Sequence, residues 1–370
     1  MRCCSGMSAS LAAFIPPHCP RSRCRYHRCA DGWRWIRFGS FSRQCEPRII
    51  PRFRCLHCRA TFSSQTFSTT YYLKRPHLLE PIAHRLLACS GYRQIAREAR
   101  CSPTTVMGQA ARLGRHALLL MHELKPTGPL QEPLVIDGFE SFAYSQYHPL
   151  HLNLAVGADS HFAYTLTFAR LRRKGRMTRA QQRRRAAIEA AHGRPEPQAI
   201  ERSVGDLVRL AAPPQSLTLR SDEHPAYPRA FRRLPGYAIE HQQTSSTAVR
   251  TPANPLFPVN LLDLLLRHNS ANHKRETIAF SKRHQAVVER AAWLLVWRNF
   301  GKHFSERHQD GTPAMGLGLT STPWSVRRLL TGRRFVTRTT LPASWAAYYR
   351  REIDTPGIAN PRRHRLKLAA

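Results

Sequence analysis

Leu134-Val135-Ile136-Asp137 is a short apolar run closed by a carboxylate. Such a run reads as a buried strand that carries an acid at its end. Leu152–Val156 and Phe162–Phe168 follow as two further strand-like runs with short breaks between them, which predicts an antiparallel meander. Leu217-Thr218-Leu219 is another such run and ends near Asp222, and Tyr237–Ile239 reads the same way. Val259–Arg267 and Ala286–Phe300 are strongly apolar and predict helices, with an amphipathic helix at Ile200–Leu210. Strands and helices mixed in this order predict a mixed α/β (α+β) domain over residues 131–305. Residues 171–200 interrupt it with Arg172, Arg173, Lys174, Arg176, Arg179 and Arg183–Arg185. We read them as a basic helical insertion, either a solvated face or a track for an anionic backbone.

Working outward, Lys125–Pro133 contains Pro126, Gly128 and Pro129 and reads as a linker. Before it, Leu78, Leu79, Ile82, Leu86 and Leu87 recur at helical spacing, and Tyr92, Ile95 and Ala99 mark a second short helix. Ser102 is a good cap for a third helix that starts at Pro103 and runs through Val106, Ala110, Leu113 and Ala117. Residues 76–124 thus predict a helix-turn-helix, whose second helix enters the DNA major groove. Thr104, Thr105, Gln109 and Arg112 are the candidate DNA contacts on it, and plain three-helix packing is the alternative.

Eight of the ten cysteines lie before residue 60. Cys19 and Cys24 form one pair and Cys55 and Cys58 another, about 30 residues apart as small metal modules space them. Two such pairs can close a tetrahedral Zn²⁺ site, with His27, Cys29 or Cys45 as substitutes for a ligand of the first pair. A disulfide scaffold would be smaller, with cysteines more evenly spread. Residues 16–70 lack helical periodicity and predict a loop-and-hairpin module that depends on metal for want of a core. Residues 1–15 read as a loose tail. Residues 306–370 read as a basic extension, with backbone contacts to DNA their expected role.

The chain has 370 residues, with 58 Lys and Arg against 23 Asp and Glu, a formal charge of +35. Self-repulsion of that size calls for a polyanionic partner, and nucleic acid is the foremost candidate. Only seven of the cations are Lys, a bias toward Arg that a GC-rich genome would produce, but genome bias does not explain the shortage of acids. A hydrophobic share of 42% excludes a wholly disordered chain. No stretch approaches the ~20 apolar residues of a membrane-spanning helix, and no secretory signal is evident. The expectation is a cytoplasmic, nucleoid-associated protein. No internal repeat is present.

With so few acids, Asp137 and Asp222 at strand ends invite a shared role as hard oxygen ligands for Mg²⁺ or Mn²⁺. Two such ions ~3.5–4 Å apart can activate an attacking oxygen and stabilise a leaving one in phosphodiester chemistry. Taken singly, either acid is more simply a turn former or helix cap. Asn260, Asp263 and Arg267 share one helical face at i, i+3 and i+7 among leucines. A buried Asp263 needs a cation, which is either a metal or Arg267 at i+4. Glu276 and Glu289 are reserve candidates.

These modules in this order resemble the DDE transposases of small bacterial insertion sequences, built as a zinc ribbon, a helix-turn-helix and a ribonuclease H-like catalytic domain. The likeness covers roughly residues 16–300, by the size of compact modules. Its most specific stretch is Arg275-Glu276-Thr277-Ile278-Ala279-Phe280-Ser281-Lys282, which is similar to the Arg-Lys-Thr-Ile-x-Phe-Ser segment after that family's catalytic helix. Ser221-Asp222-Glu223-His224-Pro225-Ala226-Tyr227 is a weaker match. The resemblance implies that Asp137 and Asp222 take the places of the first two catalytic carboxylates. The family's catalytic Glu position falls on Asn260, and the Asn three residues later falls on Asp263, so the acid is displaced by one helical turn, about 5–6 Å between Cβ atoms. Asp263 is then the third ligand, with Asn260 as its neutral neighbour. The resemblance further implies strand cleavage by an activated water, then attack of the freed 3′-hydroxyl on target DNA. Arg267 and Lys282 would hold phosphates, double-stranded DNA would be the partner, and a homo-oligomer would work on two element ends. The rival expectations are a non-catalytic zinc-ribbon and helix-turn-helix regulator, and a ribonuclease H-like nuclease.

Overall fold

The computed structural model describes residues 14–359. Most of the expected N-terminal tail and the last eleven residues lie outside them. The chain divides into two compact units.

The smaller unit holds the residues up to His77 and the segment Thr331–Arg338. Its three strands, β1 (Trp35–Ser42), β2 (Ile49–Cys55) and β3 (Thr61–Ser63), form one antiparallel sheet in that order. Alternation along β2 turns Phe53 and Cys55 to one face. They join a core of Cys19, Cys24, Phe62, Phe67 and Phe335. A core of this size leaves a unit of 60-odd residues marginal by apolar burial alone. Phe335 comes from the region read as a DNA-binding extension. That segment also joins the sheet module through the Arg333 N–H, which donates to the Phe67 carbonyl at 2.7 Å, and through Thr337 Oγ1, 2.8 Å from His27 Nε2. At least residues 331–338 therefore serve packing.

The larger unit spans Leu78–Leu330 and resumes at Thr339. It opens with helices α1 (Leu79–Leu87), α2 (Tyr92–Glu98) and α3 (Pro103–Leu124). Ser102 caps α3 as expected, its Oγ accepting the Thr105 N–H at 3.2 Å, and Pro103 occupies the first turn, where no backbone donor is needed. Five strands follow: β4 (Leu134–Phe142), β5 (Pro149–Gly157), β6 (Ala163–Arg170), β7 (Ser216–Ser221) and β8 (Ala238–Gln243). Between β6 and β7 stand α4 (Arg179–His192), which buries none of its residues, and the amphipathic α5 (Ala199–Ala211). The short α6 (Ala226–Phe231) precedes β8, and α7 (Phe257–Asn269) and α8 (His284–Phe300) follow it.

The sheet order is β6-β5-β4-β7-β8. β4 pairs antiparallel with β5 and β5 with β6, whereas β7 runs parallel to both β4 and β8. This is the ribonuclease H-like arrangement, in a mixed α/β fold. β5 is buried almost throughout because both faces of the central strands are covered. Asn153 on one face of β5 donates to Ser203 of α5 at 2.8 Å, so α5 lies over that face. Asp137 is opposite Leu154 in the β4–β5 ladder and therefore points to the other face, where Arg267 of α7 stacks on Phe139 with its guanidinium 4.4 Å from the ring centre. α8 is buried nearly all round and packs along α3. Their backbones approach so closely that a Cβ built on Gly114 would stand 2.6 Å from Glu289 Cα. The helical module is thus part of the same compact unit as the sheet.

Candidate functional site

Asp137 does not close its strand. β4 continues for five more residues, because Gly138–Phe142 keep pairing with β5 as far as Pro149. On its other side β4 pairs with β7 only at Leu134↔Leu219 and Val135↔Arg220. Two residues beyond that last pair come Asp137 on one strand and Asp222 on the other. The two acids therefore flank the notch where parallel neighbours part, a point at which open α/β sheets commonly place ligands. Asp137 Oδ1 accepts the Gly138 N–H at 2.7 Å, and Asp222 Oδ1 accepts the His224 N–H at 2.9 Å.

α7 packs across β4 and β5 and brings Asp263 to the same place. Burial, and next the charge of Asp137, push the Asp263 carboxyl well above the usual carboxylate range. Burial and then Asp222 push Asp137 upward in the same way, against the Gly138 N–H. Tyr227 of α6 is buried beside them, and after burial itself all three aspartates raise its hydroxyl. Arg267 does not quench Asp263 by a hydrogen bond. Its guanidinium donates to the carbonyls of His273 at 3.2 Å and Glu140 at 3.4 Å. Asp263 Oδ1 is left buried with no hydrogen-bond partner. An orphaned carboxylate oxygen among other acids is costly unless a cation shares the site, and three hard oxygen donors suit Mg²⁺ or Mn²⁺. Asn260 lies one turn before Asp263 and is half-buried.

Beside the acids runs a groove of about 760 Å³, whose lining includes Arg170, Arg173, Lys174, Arg194, Arg267 and Arg275. Glu140 and Glu196 are its only acids, and His224 joins it to Asp222. The basic insertion supplies much of this wall, although Arg172 is spent on Glu189 at 2.7 Å. Lys282 is not part of the cluster. It is exposed, with its ammonium over the Phe280 ring at 3.5 Å, and Phe280 packs on Phe142 at the far end of β4. Five residues along a strand separate that end from Asp137, about 17 Å.

Sequence reasoning missed His151, Glu140 and Arg250. His151 Nε2 stands 3.4 Å from Glu140 Oε1 across the β4–β5 ladder, and Arg250 is near enough to bear on both Asp137 and Asp263. The signal for His151 was available, as a histidine and then Asn153 interrupt an otherwise apolar strand. Nothing local marks Arg250. The reserve acids lie elsewhere: Glu276 is exposed, and Glu289 pairs with Arg351 at 2.7 Å at the α3–α8 crossing.

In the smaller unit the Sγ atoms of Cys19, Cys24, Cys55 and Cys58 all lie within 4.8 Å of one another. Cys19 and Cys58 are 3.6 Å apart, close to the ~3.8 Å edge of a tetrahedron of thiolates around zinc. Burial raises the Cys19 and Cys24 thiols. At Cys55 burial also pushes upward, but N–H groups of Cys58, Trp33 and His57 outweigh it and bring the thiol to about 7. The cluster is of a kind that can bind zinc. His27 turns away to the Cys19 carbonyl and Thr337, and the exposed Cys29 bonds Asp31.

No protein-family model and no curated protein matches the chain. Among solved structures it is similar to a chain in the cryoEM structure of the simian T-cell lymphotropic virus intasome in complex with PP2A regulatory subunit B56 gamma. That likeness has 14% identity and a TM-score of 0.23, over 67% of this chain and 74% of that one. At such a score it bears no weight.

On the helical module, Thr104 is exposed, while Thr105 is half-buried and held by Ser102. Gln109, expected on the open face, is instead buried, because it shares the side of α3 that carries Val106, Ala110 and Leu113 into the core. Arg112 is half-buried. Among the described residues no helix is long and apolar enough to cross a membrane.

Proposed function

We propose that this chain is a DDE-type DNA transposase that cleaves and joins DNA strands with the help of divalent metal. The single observation that carries the reading is the meeting of Asp137, Asp222 and Asp263 at the notch of a ribonuclease H-like sheet, with Asp263 Oδ1 buried and unpartnered. These three residues would hold Mg²⁺ or Mn²⁺, which when bound supplies charge to activate the attacking oxygen and steady the leaving one. Arg267 and the basic groove beside it fit the phosphates of a DNA backbone, and binding there holds the scissile bond against the acids. Thr104, Thr105 and Arg112 would contact duplex DNA from the helical module. Cys19, Cys24, Cys55 and Cys58 would hold Zn²⁺ and keep the ribbon folded. Handling two element ends would call for more than one copy of the chain.

The test is strand cleavage and joining on a duplex carrying the element's end, with Mg²⁺ or Mn²⁺ supplied. Asp137→Ala is expected to lose both steps by at least ~10²–10³-fold, as loss of a key electrostatic group does, while duplex binding stays within about twofold. Joining at the wild-type rate would overturn the assignment.

A further inference from the structure

The small β-sheet has an outer face that the proposed chemistry does not use. Trp35 packs on the core ring of Phe53, and Phe53 faces Arg37 in the ladder. The neighbouring pair Ile36↔Arg54 therefore points the opposite way, as side chains alternate along a strand. On that side lie Ile36 and Phe38 of β1 with Arg52 and Arg54 of β2. Phe38 is 41% exposed, and the two guanidiniums lie over its ring at 5.7 and 5.4 Å. The face continues into a groove of about 1030 Å³ lined by Arg52, Phe41, Arg21, Lys74, Tyr71 and Tyr72 among others, and no Asp or Glu lines it. Phe41 is 43% and Tyr72 64% exposed. Across residues 14–77 the only acids are Asp31 and Glu46, and Glu46 is engaged by Arg48 at 3.1 Å.

Open aromatic rings interleaved with cations and free of carboxylates suit one ligand chemistry. Unpaired bases stack on rings and guanidinium planes while their phosphates meet the charges. A duplex hides its base faces in its own stack and would use only the charges. We propose that this face and groove bind single-stranded nucleic acid by stacking, with Phe38 as the central platform. The inference is independent of the acid site.

The experiment is fluorescence anisotropy on the full chain with labelled oligo(dT), oligo(U) and a DNA duplex. Phe38→Ala should weaken oligo(dT) binding about tenfold, the usual effect of removing one stacking platform, and leave duplex binding within about twofold. Phe38→Trp should keep the wild-type affinity. Melting curves of each variant should coincide with wild type, since Phe38 lies outside the core. Oligo(dT) and oligo(U) should bind alike, because stacking and charge do not sense the 2′-hydroxyl. Unchanged oligo(dT) binding in Phe38→Ala would overturn the proposal. So would an equal loss for duplex and single strand, or a preference beyond about tenfold for either oligonucleotide.

Discussion

In the smaller unit, four thiols converge within 4.8 Å, three of them in its core and Cys58 packed against it. In the larger unit, three carboxylates gather less tightly, beside an open cationic groove, and one buried oxygen is left without a partner. Among the described residues, only the cysteines form a set of three or more such ligand atoms all that close together. The difference bears on what each centre would do under the proposed function. Soft ligands in a closed shell, in a unit with a small core, would serve folding. Hard ligands set on a large core, and open on one side, would serve chemistry. The acids' mutual repulsion is carried by the packing of β4, β7 and α7, so on the proposed reading an ion would be needed for reaction and not for structure.

The comparison breaks most sharply at Cys55. With structural zinc contributing of the order of 10 kcal/mol to the folding of small modules, Cys55→Ser should abolish zinc retention and leave residues 14–77 open to protease. The unit from Leu78 onward should stay protected. Equal protection of both units after zinc is stripped would show that the ribbon's aromatic core suffices. The next largest effect concerns which helical turn supplies the third acid. Asp263→Ala should cut metal-dependent cleavage by ~10²–10³-fold, whereas Asn260→Ala should cost less than about tenfold. The reverse ranking would return the role to position 260. Gly114→Ala then tests whether the acid site rests on packing. Its Cβ would meet Glu289 backbone at 2.6 Å, with no flexible chain end to yield. The expected loss is about 1–3 kcal/mol, read as a lower melting temperature of the larger unit that neither zinc nor chelator alters.

What the sequence made legible follows from the range of the forces involved. The Ser102 cap, the three helices and the meander are set by residues near in sequence, and they read correctly. Asp137 and Asp222 were visible because each follows an apolar strand-like run, although β4 runs on past Asp137. That continuation depends on pairing with β5, which no local pattern shows. Cys19, Cys24, Cys55 and Cys58 were chosen over His27, Cys29 and Cys45 by spacing, and those four thiols cluster. Gln109 misled although it sits on the face of α3 that Val106, Ala110 and Leu113 carry into the core, which helical spacing alone shows. The return of Phe335 to the core of the smaller unit and the approach of Arg250 to the acids are long-range and left no trace in composition.

A finer comparison concerns how the acid site's surroundings respond to pH. His273 packs edge-on against Phe139 at 5.3 Å, and Arg267 donates to its carbonyl, so it supports the residues that flank the acids. Burial, and then the charges of Arg290 and Arg267, lower its pKa from 6.5 to about 3. The folded chain therefore keeps this ring neutral, while an unfolded chain would protonate it below 6.5. Above that value the ring adds no pH dependence. As pH falls from 6.5 toward 3, the unfolded state gains protons that the folded state refuses, and stability drops. The loss amounts to about 1 kcal/mol near pH 6 and grows from there. Denaturant midpoints of the larger unit should fall accordingly on acidification, and His273→Gln should flatten that slope even if it lowers stability at neutral pH. An unaltered slope would mean that His273 opens to water before global unfolding, and that the wall behind Phe139 is looser than its burial suggests.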